Sequence, residues 1–182
     1  HVDTFGEGAN AMGQYYLASN ANEIAMQPYG SLYILGLGFD VLHGKKLLDR
    51  LNISTRFYKR DEYKSAFDML TENEITPANK EALTALGQSL FEQMVRDIAL
   101  EREMSEKDFK LLVDQAPHHG AKNAMALGLI DHIYYYDQCE TYALNKAGAE
   151  CQSISMVTYS QNLPSRKIIH PHSIALVYGV GP

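Results

Sequence analysis

The feature that most restricts the fold is an alternation of short apolar stretches with stretches of helical period, beginning near residue 12. MGQYYLASNA (12–21) carries its apolar and aromatic residues at helical spacing. NEIAMQP (22–28) is short, stops at a proline and reads as a buried strand. YGSLYILGLG (29–38) opens on a turn and continues as a second strand, and Asp40 to Leu51 has Val41, Leu47, Leu48 and Leu51 on one side of a helix. ISTRFYK (53–59) is β-branched and aromatic, and predicts the next strand. A chain built this way calls for a sheet that is parallel in good part, with helices packed on it.

The clearest helix follows. Thr76 is a good N-cap and Pro77 suits the first helical position. From there Leu83, Leu86, Leu90, Met94, Val95 and Ile98 recur every three or four residues toward Glu103. Ser105-Glu106-Lys107-Asp108 resembles a capping box that opens a helix through Leu111 and Leu112. AKNAMALGLI (121–130) predicts a short helix ending near Gly128, and IDHIYYY a strand or core segment. Residues 137–170 are more polar, with one helix over CETYALNKAG, and lead to the strand-like IALVYGV.

Composition narrows the function classes. At 182 residues with 46% hydrophobic and 21% charged, the chain is neither disordered nor membrane-like. Its apolar runs are too short to span a bilayer, and no signal-peptide pattern is present. A formal charge of −6, spread rather than blocked, argues against nucleic acid as a partner. Cys139 and Cys151 can pair or stay free, and two cysteines define no disulfide framework. His1 at the start, and Gly181-Pro182 directly after a strand-like run, read as a piece of a longer protein.

Few motifs carry chemistry. The Gly-x-Gly steps at residues 6–8, 36–38 and 179–181 lack the third glycine or the Gly-Lys pair of phosphate loops, and read as turns. His118-His119 has no Cys or acidic partner at ligand spacing, and adjacent histidines point apart in regular structure, so the pair reads as loop polarity or a cap. Nothing asks for a cofactor or a metal. Tyr134-Tyr135-Tyr136, without interleaved basic residues, reads as core and interface rather than a stacking platform. No serine sits in a Gly-x-Ser-x-Gly elbow.

That leaves Lys64, in DEYKSAFDML (61–70). Taken alone it reads as a solvated surface charge beside Asp61, Glu62 and Asp68. A lysine serves as a general base only if its neutral form is populated. That requires a depression of about three units from about 10.4, on the order of 4 kcal/mol of burial and neighbour effects. Asp61 and Glu62 would oppose the shift, so the base reading needs them turned away.

GQYYLAS (13–19), EIAMQPYGSL, the run KLLDRLNISTRFYKRDEYKSAFDMLTENEITPANKEAL and NAMALGLID (123–131) together resemble the signal peptide peptidase A (protease IV) family. The resemblance covers about residues 13–135, and IALVYGVGP resembles the first strand of that family's second half. It implies an α/β Clp-protease/crotonase-like fold of repeated strand-strand-helix units, two such domains standing in tandem in the longer bacterial form. On that pattern, residues 1–137 form the first repeat, 138–173 a connecting segment with a helix, and 174–182 the first strand of the second repeat.

The family works by a serine–lysine dyad, and its Tyr-Lys-Ser-Ala step falls on Tyr63-Lys64-Ser65-Ala66. Lys64 is thereby the implied general base. The nucleophile of the family is the serine of a Ser-Gly-Gly-Tyr step. Matching Gln14-Tyr15-Tyr16 to it puts Met12 at the serine position, and a thioether has no proton to give. The serine is then expected beyond Pro182. Asp61 stands where relatives often have glycine, and Asp68-Met69 where they have an acidic-proline pair. The expected partners are signal-peptide remnants as substrate, the rest of the same protein, and further copies in a homo-oligomer. The expected location is the bacterial inner membrane, on its periplasmic face. Two rivals stand beside this reading: a non-catalytic assembly or peptide-binding module of the same fold, and a crotonase-type acyl-CoA enzyme that shares only the fold.

Overall fold

A computed structural model describes residues 1–148 and 150–163. The chain divides into two compact units, His1–Thr141 and Tyr142–Pro182.

In the first unit, α1 (Met12–Ser19) packs against the long α4 (Pro77–Glu101), and α4 in turn against α5 (Glu106–Asp114). Between and beside them lie α2 (Lys45–Arg50), α3 (Asp68–Thr71), α6 (Ala121–Ala126) and the start of α7 (Tyr136–Ala147). Strand structure is brief. β1 (Ala25–Met26) pairs in parallel with β4 (His132–Ile133), and β2 (Ser31–Leu32) pairs antiparallel with β3 (His118–His119). Single parallel bridges add Val2 to Met26 and Phe5 to Leu32. The architecture is therefore mixed α/β, as the alternation predicts. Among the described residues its ladders are one parallel and one antiparallel, not one largely parallel sheet.

The core gathers where these short ladders meet α1, α4, α5 and α6. Phe5, Met12, Tyr15, Met26, Leu32, Ile34, Ile98, Phe109 and Leu129 are all buried. Each large side chain removed from water contributes roughly 1.5–3 kcal/mol. Tyr15 is central: its ring meets Phe5 edge-on at 5.4 Å and stacks near Phe109 at 6.4 Å. Its buried hydroxyl donates to the Leu129 carbonyl at 2.8 Å, so no polar atom is stranded. Burial raises the phenol well above its ordinary range.

The long helix fits its sequence pattern at one end only. Val95, Ile98 and Ala99 are buried, whereas Leu86 and Leu90 are 52% and 42% exposed. The stripe is apolar throughout but covered only where the sheet residues reach it. Toward the N-terminal half Phe39 lies against it, its Cε2 2.8 Å from where a Cβ on Gly87 would stand.

Four predicted elements are corrected. The helix expected over Asp40 to Leu51 is confined to Lys45–Arg50 and buries nothing; Leu47 and Leu51 are 63% and 59% exposed. The strand expected over 53–59 is irregular, because no neighbouring strand offers it a ladder. The expected strands over 22–28 and 29–38 shrink to Ala25–Met26 and Ser31–Leu32. The other predicted helices stand close to prediction, whereas α3 and a helix over Met156–Asn162 have no counterpart in the sequence reading, which gives residues 137–170 one helix. α6 stops before Gly128, which takes φ +72, and α7 begins at Tyr136, three residues before the expected Cys139.

The second unit holds the end of α7 and α8 (Met156–Asn162), which Ser155 caps by accepting from the Thr158 N–H at 3.1 Å. Cys139 and Cys151 are both free. The expected strand over 174–180 lies outside the described residues.

Candidate active-site loop

The segment around Lys64 is held by side chains rather than by a backbone ladder. Three cross-links join residues 55–59 to 67–70. Thr55 Oγ1 donates to the Leu70 carbonyl at 3.0 Å, Phe57 stacks on Phe67 at 4.3 Å, and Lys59 Nζ meets Asp68 Oδ1 at 2.7 Å. They close a neck, and the turn from Arg60 to Ala66 projects from it. Within the turn the Lys64 N–H donates to the Asp61 carbonyl at 3.2 Å, and the Ser65 N–H to the Tyr63 carbonyl at 3.0 Å.

Two further bonds fasten this loop to α4. The Tyr63 hydroxyl donates to Glu81 Oε2 at 3.1 Å, which raises the phenol. Thr76, which the sequence marks as an N-cap, does not cap with its side chain. Its hydroxyl donates instead to Asp68 Oδ2 at 3.0 Å. Asp68 is thus matched on both oxygens, and the Lys59 hydrogen bond holds its carboxyl below the usual carboxylate value.

Lys64 itself is exposed. Among the described residues, no carboxylate reaches ion-pair distance of its amine. Asp61 and Glu62, the two acids that would keep it protonated, do not pair with it. Exclusion from water, which a general-base lysine needs, is not supplied by the described residues.

Met12 is the first residue of α1 and is 1% exposed, its side chain part of the core. Its N–H donates to Asn10 Oδ1 at 3.1 Å, and the Asn10 amide donates to the Gly36 carbonyl at 2.6 Å, tying the helix start to the extended segment after β2. Met12 lies in the core and Lys64 on the surface, so the two positions that the sequence resemblance singles out are not brought into a common buried site by this chain.

A groove of about 610 Å³ runs between that extended segment and α4. Leu35, Leu37, Phe39 and Val41 form one wall, Leu83 and Phe91 the other. Lys64 is not on its walls. His118 and His119 point apart, as adjacent strand residues do: His118 Nε2 bonds the Leu112 carbonyl at 2.9 Å, and His119 Nδ1 the Ser31 hydroxyl at 3.2 Å. Among the described residues no group of three or more His, Cys, Asp or Glu could hold a metal ion.

Sequence reading picks out Lys64 but not the network that carries it. Lys59, Asp68 and Thr76 are separated by nine and eight positions, a spacing with no periodic meaning. Only the choice of Thr at a cap position hinted at a hydroxyl with work to do.

Residues 2–152 match the profile of Peptidase family S49. Over 174 residues the chain is 28% identical to "Protease 4" of Salmonella typhi, covering 88% of this chain and 28% of that protein. It is 37% identical over 70 residues to "Protease 4" of Haemophilus influenzae, 38% of this chain and 11% of that one. To "Serine protease SPPA, chloroplastic" of Arabidopsis thaliana it is 24% identical over 137 residues, 75% of this chain and 20% of that protein. The chain spans between about a tenth and somewhat over a quarter of the length of these relatives.

Proposed function

The chain belongs to Peptidase family S49, and from that premise we propose that it is the lysine-bearing part of a serine endopeptidase that degrades cleaved signal peptides. Lys64 is the general base. The neutral amine takes the proton of a serine hydroxyl as its oxygen adds to the scissile carbonyl, backbone amides bind the resulting oxyanion, and the ammonium returns the proton to the leaving amine. Water then hydrolyses the acyl-enzyme by the same proton path. The serine belongs to a part of the protein outside these residues, since Met12 occupies its position in this repeat and is packed into the core.

The observation that carries the reading is the Tyr63-Lys64-Ser65-Ala66 step inside a region matched along its length to the family. Two others support it. The acids beside Lys64 leave its amine unpaired, and the amine stands at the tip of an anchored turn where another surface can cover it. Burial by that surface, from the second half or a neighbouring copy, supplies the desolvation a basic amine needs. The exposed Leu42, Leu47, Tyr58 and Met69 (79%, 63%, 97% and 48%) fit a chain that docks against more protein.

On the same premise residues 1–137 are the first of two Clp-protease/crotonase-like repeats, 138–173 connects them, and 174–182 begins the second. The assembly is a homo-oligomer at the periplasmic face of the inner membrane. No helix of the described residues is long and apolar enough to cross a membrane.

The test is Lys64→Met in the full-length protein, assayed on an internally quenched, leucine-rich peptide. Turnover should fall by about a hundredfold or more. Turnover near wild type would remove Lys64 from the mechanism. The exposure of Lys64 in this chain is what a non-catalytic module of the same fold would also present. Absence of a Ser-Gly-Gly-Tyr-like step in the gene after Pro182 would decide for that module.

A further inference from the structure

Asp68 is the one carboxylate that the described residues shut away from water, at 2% exposure, and it lies outside the hydrophobic core. A carboxylate in that position costs free energy unless its oxygens are matched. Both are: Lys59 Nζ sits at 2.7 Å from one and Thr76 Oγ1 at 3.0 Å from the other. The three residues come from three places that bear on Lys64. Lys59 precedes the turn, Asp68 follows it, and Thr76 opens α4. A second anchor, Tyr63 on Glu81, holds the same turn to the same helix one residue before Lys64.

A lysine amine rides on four methylenes and can be aimed only if the backbone that bears it is fixed. Misplacement of a reacting group by about 1 Å is enough to cost on the order of a hundredfold in rate. We infer that Asp68 is a positioning residue for Lys64: by holding Lys59 and Thr76 together it fixes the neck of the turn to α4, and so sets the point from which the amine takes its proton. This rests on the reading of Lys64 as the general base. Asp68 touches neither substrate nor nucleophile in this role. It acts through the backbone of residues 60–67.

An ion pair that merely stiffened the loop would change melting temperature and leave the turnover of each folded molecule alone. A positioning pair changes kcat and spares KM. The test measures kcat and KM of the full-length protein on the quenched leucine-rich peptide, per folded molecule counted by near-ultraviolet circular dichroism. Asp68→Asn should lower kcat by about 10- to 100-fold with KM within about twofold. Asp68→Glu, which keeps the carboxylate, should recover part of that loss. Lys59→Gln and Thr76→Val should each cost less than Asp68→Asn. The double variant Lys59→Gln/Asp68→Asn should be no slower than Asp68→Asn alone, because the two act as one unit.

If Asp68→Asn does not fold, Lys59→Gln and Thr76→Val decide. Values of kcat within about twofold of wild type in every variant that folds would overturn the inference. Lys64→Met is run beside them. If it inactivates while the Asp68, Lys59 and Thr76 variants do not, only the positioning role falls. If it leaves turnover intact, the general-base reading falls and this inference with it.

Discussion

Asp131 has both carboxylate oxygens committed to Arg102, at 2.8 and 3.0 Å, and the second also accepts the Ile24 N–H at 2.7 Å. Arg102 donates in addition to the Gly128 carbonyl at 3.0 Å. The pair thus pins the end of α4 to the approach of both parallel strands. Burial alone would raise the Asp131 carboxyl, but the guanidinium and the amide outweigh it and hold it below its ordinary value. A depressed folded-state value means that the stabilisation is fully present above the unfolded carboxyl's value, near 4, and is lost as pH falls through the lower folded one. Urea midpoints should therefore fall more steeply below about pH 4 in the native protein than in Asp131→Asn. At neutral pH, Arg102→Ala should cost about 2–3 kcal/mol by urea titration, toward the lower end because Asp131 keeps 31% of its side chain exposed. None of this was legible at the residue scale, where Arg102 and Asp131 are two charges 29 positions apart. Lys64 was legible, but only through its matched surroundings; by its own neighbours it is an ordinary surface charge.

At the scale of elements, legibility followed how local the cause was. The Ser105 N-cap needs nothing beyond three residues, and it forms as its sequence requires. The Ser105 hydroxyl accepts the Asp108 N–H at 3.0 Å and donates to the Asp108 carboxylate at 2.6 Å. Ser105→Ala should cost about 1 kcal/mol in chemical denaturation, with the loss centred on α5. Asp108→Asn should cost less, since the backbone N–H keeps its acceptor. By contrast, a strand is only as real as its neighbour. Ile53–Lys59 has the composition of a strand and no partner within the described residues, so side-chain links take the place of a ladder. Asp40 to Leu51 has a helical stripe with nothing to press against, and six residues of helix survive. In α4 the same rule divides one element: Val95 and Ile98 find the core, while Leu86 and Leu90 stay exposed and Leu83 and Phe91 line the groove.

For the whole molecule, the mixed α/β class could be read from the alternation of segments, while the extent and direction of pairing could not. Hydrogen-bonded ladders join residues as far apart as Ala25 and His132, and sequence pattern has no access to such distances. Identity came from a different kind of signal, the order of several matched segments, and the family profile extends it to residues 2–152. If the nucleophile lies in another part of the protein, these 182 residues should resist a fluorophosphonate probe. Mass spectrometry of the purified piece should find no stoichiometric adduct under conditions that label the full-length enzyme. An adduct on this piece would relocate the serine.

The laced neck of the Lys64 turn has one more consequence. Among the described residues no backbone N–H from 54 to 63 donates to a carbonyl, yet the side chains of Thr55, Phe57, Lys59 and Tyr63 are each held, Thr55 by the Leu70 carbonyl and the others by side chains. Amide exchange would report this stretch as loose, because it counts bonds that the stretch does not use. Rigidity here is written in side chains, and point substitutions can therefore retune it one stitch at a time without unravelling a sheet.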